Sequence, residues 1–154
     1  EPDIAQRVFD SETLVYETAY GNYNDITFMP STAAEFSDGR LNPFFSPKVR
    51  EAMNYLVDRS YITQEINGGL ARPRFVPINF ASQDAAVLAA EIAAINLKYA
   101  HNPDKAVEII TAEMEALGAA MVDGKWFYND APVEIIVLIR VEDERLEIGD
   151  YVSN

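Results

Sequence analysis

The chain has 154 residues, a length that suits one domain, and 49% of them are apolar, enough to build a core. Its formal net charge of −13 argues against a nucleic-acid partner, which needs clustered Lys and Arg, and against adhesion to anionic membranes. Cysteine is absent and His101 is the only histidine, so disulfides, thiolate metal sites and cysteine nucleophiles are excluded and a His-rich metal cluster is not available.

The chain opens on EPDIAQRVFDSE, which is acidic and polar and carries no secretory signal. It reads as the tail of another element. Residues 13–18 (TLVYET) alternate enough to be a strand, and 25–29 (DITFM) read as a second, with Ile26 and Phe28 on one face. Gly21 and Asn22 between them have turn chemistry. A loop follows over 31–43. Ser46 is a good N-cap and Pro47 suits the first helical position, where its missing N–H is no loss. Val49, Ala52, Met53 and Leu56 then recur at helical spacing. Ser60 reads as the cap of a second, short helix with Ile62 and Ile66 on one stripe. Gly68 and Gly69 end it, because glycine enters the left-handed region at little cost.

Pro73 and Pro77 keep the next stretch extended. Ser82 or Asp84 caps a third helix carrying Leu88, Ile92, Ile95 and Tyr99. Asn102 and Pro103 open a fourth, with Val107, Ile110, Met114 and Leu117 as its inner stripe and Gly118 as its stop. Residues 126–128 and 133–139 read as two strands about an Asn129-Asp130 turn. The second is a nearly continuous apolar run, as expected of a buried central strand. Glu142 and Asp143 begin a fifth helix, where their charge suits the positive end of the helix dipole. Ile148, Tyr151 and Val152 continue an apolar stripe to the last residues, with neither Gly nor Pro to stop it. The pattern is mixed α/β. The expected organisation is a single domain over 1–154, excised from a longer protein and cut at both ends. No apolar run is long enough to cross a bilayer, so no direct membrane insertion by this segment is expected.

Several residues carry candidate chemistry. Tyr20 and Tyr23 flank the Gly21-Asn22 turn; they are either turn and surface aromatics or the lining of a ligand cleft, where a phenol ring offers an apolar face and a hydroxyl. Asn22 and Asn24 are weaker candidates. Arg140 closes the apolar run and Arg145 lies one turn into the last helix. A guanidinium there either pairs with a ligand carboxylate or joins a local ion-pair network with Glu142, Asp143 and Glu144. Those three carboxylates are adjacent, point in different directions and cannot easily converge on a metal ion. Trp126 reads as a hairpin anchor in preference to a saccharide platform. No nucleophile–base pair is evident: His101 has no G-x-S-x-G elbow to serve. No catalytic residue, metal site or cofactor is expected.

The order of the motifs resembles the family-5 extracellular solute-binding proteins of ABC transporters, the dipeptide, oligopeptide and nickel binders. LVYETAYGNYNDITFM is followed by LNPFFSPKVREAMNYLVDRSYI, then INGGLARPRFVPI, HNPDKAVEIITAEMEALGA, DGKWFYNDAPVEIIVLIR and VEDERLEIGDYV. Each piece alone is weak, and the shared order and spacing carry the resemblance. It implies part of the second large lobe of a periplasmic-binding-protein-like class II fold, a mixed sheet flanked by about five helices. It implies ligand-binding roles for Tyr20, Asn22, Tyr23, Arg140 and Arg145. It further implies capture of a peptide or similar small solute by hinge closure and delivery to ABC permease subunits. The intact protein would be periplasmic or extracellular and membrane-anchored. The competing expectations are a small hydrolase-like α/β enzyme and a non-catalytic interaction domain.

Overall fold

The computed structural model describes residues 2–16 and 22–154. The chain is mixed α/β, with seven helices and one three-stranded antiparallel sheet among the described residues. It forms two compact units. The first comprises Glu1–Asp25, Asp58–Tyr99 and Ile139–Asn154; the second comprises Ile26–Val57 and Ala100–Leu138.

Cap chemistry builds the second unit. Asn42 is 2% exposed and fully used: its Oδ1 accepts from Phe44 N at 3.1 Å and its Nδ2 donates to Met29 O at 2.9 Å. This starts a short 3-10 turn, Pro43–Phe45. Ser46 then caps α2 (Pro47–Leu56), accepting from the amides of Lys48 and Val49 and donating its hydroxyl proton to Glu113 Oε2 at 2.7 Å. Glu113 lies on α6 (Pro103–Ala116), which Asn102 caps through Lys105 N. Lys48 Nζ adds an ion pair to Glu113 Oε1 at 2.8 Å. The two helices pack closely because Ala52 and Ala106, each 0% exposed, put only methyl groups at the contact. Ala106 holds the inner position that the sequence reading gave to Val107, which is 58% exposed.

Gly118 (φ +88°) ends α6 in a left-handed turn, with Ala119 N donating to Met114 O at 2.9 Å. The chain then makes β1 (Ala120–Val122), β2 (Lys125–Tyr128) and β3 (Ala131–Pro132) in simple antiparallel order. Both connections are two-residue turns with positive φ throughout, Asp123-Gly124 and Asn129-Asp130, as the twist of a tight hairpin demands. Leu41, Met114 and Ala119 form the buried centre, and Trp126, Tyr128 and Val133 close over it, so Trp126 is a hairpin anchor.

In the first unit, α1 (Pro2–Phe9) is followed by a Phe9–Tyr16 ring contact at 4.7 Å. Asp58, not Ser60, caps α3 (Arg59–Tyr61): its Oδ1 accepts from Ser60 N and Tyr61 N. The helix widens into a π turn over Ile62–Ile66, closed by Asn67 N donating to Ile62 O at 3.0 Å, and Gly68 and Gly69 turn it off at φ +58° and +77°. Ser82 caps α4 (Gln83–Val87). Leu88 (φ −97°, ψ 19°) breaks the third expected helix into α4 and α5 (Ala89–Lys98), and Ile92 is the buried member of its stripe. The last helix, α7 (Arg145–Ser153), is fixed by Tyr151, whose ring stacks on Tyr61 at 4.9 Å and whose hydroxyl accepts from Asp58 N at 3.3 Å.

The expected strands at 13–16 and 25–29 do not form, and 17–18 lie outside the described residues. The run 133–139 is irregular, with Ile136 70% and Leu138 94% exposed. A central strand needs a ladder partner on each side, and β3 ends at Pro132 with no strand continuing it among the described residues. The sheet is therefore small and antiparallel, not mixed.

Candidate functional site

The expected site residues that the structure describes fall in the first unit, on two segments far apart in sequence. Tyr20 lies outside the described residues. Asn22 and Tyr23 sit on an exposed, irregular segment, Tyr23 being 55% exposed. Arg140 precedes the turn into α7, and Arg145 is its first residue. Asn24 joins the two segments: its Nδ2 reaches Glu144 Oε1 at 3.5 Å, a long contact across 120 positions of sequence.

The three adjacent carboxylates of this turn each take a separate partner. Glu142 Oε2 accepts from Arg140 Nε at 2.8 Å, Asp143 pairs with Arg145, and Glu144 faces Asn24. Successive side chains on a turn diverge, so the three spread outward. Asp143 Oδ1 also accepts from Arg145 N, the first amide of α7, at 3.1 Å. The Arg145 guanidinium holds the Asp143 carboxyl down to about 2, and Asp143 in turn raises Arg145. Arg140 and Glu142 are both more than half exposed, so their pair is open to exchange with a ligand carboxylate at little cost.

Sequence reasoning missed Arg74. Its guanidinium lies over the Tyr23 ring at 5.0 Å and the Phe80 ring at 5.2 Å, and its Nη2 donates to Ile78 O at 2.7 Å. Nearby, Arg59 stacks on Phe75 at 4.2 Å, and burial pushes its pKa down. The signal was present in the sequence. Residues 66–83 hold no Asp or Glu, the longest acid-free run of a chain with 25 acidic residues, and they include Arg72 and Arg74.

A separate shallow recess of about 310 Å³ lies in the second unit, between Asp38, Arg40, Tyr128 and Glu134. Arg40 is already paired with Asp38 at 2.8 Å, and Tyr128 donates its hydroxyl to Glu35 at 2.9 Å. The guanidinium and the phenol of this recess are therefore already committed within the unit. His101 is exposed. Compared with known proteins, the chain matches no family model and no curated sequence.

Proposed function

We propose that this chain is a non-enzymatic solute-binding module of the family-5 extracellular type, part of one lobe of a class II binding protein. It captures a peptide or similar small solute for delivery to an ABC permease. The intact protein works outside the cytoplasmic membrane, to which it is anchored. The observation that carries this reading is the approach of Asn24 to Glu144, which brings the tyrosine-bearing segment against the Arg140–Arg145 turn in one unit. Two segments that the ordered motifs assign to a ligand face are thus neighbours. The chemistry fits: aromatic faces for varied side chains, guanidinia for a carboxylate, and amides for a peptide backbone.

The test is a nuclear magnetic resonance titration of this chain with short peptides at millimolar concentration, because a one-sided site leaves much of the ligand in water and binds weakly. Shifts should gather at Asn22, Tyr23, Arg140 and Arg145. Shifts confined to the second unit, or none, would sink the assignment. No turnover of esters, peptides or phosphates should accompany binding, and replacing His101 with Ala should change nothing measurable.

A further inference from the structure

We infer that Arg74 is a carboxylate-recognition residue, and that the solute taken at Tyr23 is one with a free carboxylate. The inference rests on the solute-binding reading for its location and adds the ligand class and the residue that selects it.

Three observations carry it. First, the guanidinium is held in place: its Cζ lies over the Tyr23 and Phe80 rings and the Ile78 carbonyl holds one Nη2 proton. A guanidinium has five N–H donors in a fixed fork, so most of the fork remains for a planar, bidentate acceptor. Second, no carboxylate pairs with Arg74 among the described residues, whereas Arg40, Arg140 and Arg145 each have one. Arg50 likewise donates to backbone carbonyls; Arg74 differs in lying inside the acid-free run 66–83, which offers no local carboxylate. Third, the ring that covers Arg74 belongs to Tyr23, the described tyrosine of the candidate site, which is itself 55% exposed. A carboxylate bound by the fork therefore places the rest of its molecule beside a phenol ring. Lysine would not substitute, because a point charge does not fork onto a carboxylate.

The test compares dialanine with its C-terminal amide and with acetate on this chain, following the Arg74 Nε–H and Tyr23 ring resonances at fixed ionic strength. Dialanine should shift both, and the amide should bind roughly tenfold more weakly, the loss of one charge-assisted hydrogen-bonded pair. Arg74→Gln should abolish the preference for acid over amide, and Arg74→Lys should restore only a small part of it. Should Arg74→Gln perturb the loop, the acid-to-amide ratio on the unaltered chain decides alone. Equal binding of acid and amide, or a preference that survives Arg74→Gln, overturns the inference. If equal binding still shifts Tyr23 and Arg140, the solute-binding reading stands without it. If acetate shifts Arg74 and dialanine gains nothing over acetate, the carboxylate site stands and the peptide-solute reading falls.

Discussion

Ser46 shows how much one hydroxyl can hold. Its lone pairs take the first free amides of α2, and its proton goes to Glu113 of α6, so a local cap and a long-range contact share one oxygen. Ser46→Ala should therefore cost about 1–2 kcal/mol, the upper part of the range for a lost cap, because a charge-assisted bond goes with it. Chemical denaturation with unchanged slope would measure it, and a loss below a few tenths would show that water replaces both contacts. The same carboxylate sets an acid response. Lys48 and then Ser46 hold Glu113 below its usual pKa, so its folded value lies under its unfolded one. A depressed carboxyl contributes stability that is complete above the unfolded pKa and is lost as pH falls through the folded one. Asp143 behaves alike, with its folded value at about 2 against 3.8. Thermal stability should thus decline below about pH 4.5, and Glu113→Gln should flatten the upper part of that decline. An unaltered profile in Glu113→Gln would assign the acid response to other groups.

At the level of elements, most helix starts were legible, and of the expected strands only the one at 126–128 forms among the described residues, for one physical reason. A helix start is written in three or four consecutive residues, so Ser46-Pro47, Ser82 and Asn102-Pro103 declare themselves. Where two capping residues lie close, as with Asp58 and Ser60, spacing alone does not choose; the structure chooses Asp58, whose own amide is bonded to Tyr151. A strand is completed by a partner that can lie anywhere, and apolar content at 133–139 could not say that, among the described residues, pairing would stop after Val133 N bonds to Trp126 O. The second hairpin was visible because Asn129-Asp130 is a local turn signal; the first was missed, although Asp123-Gly124 is an equally local one. Tyr23, Arg140 and Arg145 could be picked from sequence as aromatic and charged residues beside turns. Arg74 was marked only by the acid-free run around it, and its two ring partners, far from one another along the chain, were not legible. The α2–α6 contact gives the test at this scale. Ala52→Leu or Ala106→Leu inserts three carbons where both side chains are 0% exposed, and overpacking should cost about 1–3 kcal/mol. A neutral result would mean that the helices can move apart freely. Gly149 of α7 is equally restricted: a methyl group there would run into the Ile139 side chain, so Gly149→Ala should lose stability despite its better helix propensity.

For the whole molecule, connectivity and charge are the governing facts. The chain passes between its two units after Asp25, Val57, Tyr99 and Leu138, so neither unit is one continuous stretch of sequence. Helices adjacent in the chain, α2 and α3, belong to different units, and each finds its main partner late in the sequence: α6 for α2, and α7 for the turn that follows α3. Net charge acts on both units alike. With 25 acidic against 12 basic residues, like-charge repulsion opposes the compact state, while the ion pairs at Arg40, Lys48, Arg140 and Arg145 oppose that repulsion only locally. Most of these pairs are exposed and contribute little each. Salt weakens both effects, but repulsion acts over longer distances and is screened first, since the Debye length falls from about 30 Å at 0.01 M to about 10 Å at 0.1 M. The midpoint of thermal unfolding should therefore rise as sodium chloride is added over that range at neutral pH. It should rise less near pH 4.5, where many carboxyls are partly protonated and the repulsion is already reduced. A midpoint that falls with salt at neutral pH would mean that the local pairs, not the net charge, dominate the electrostatics of this fold.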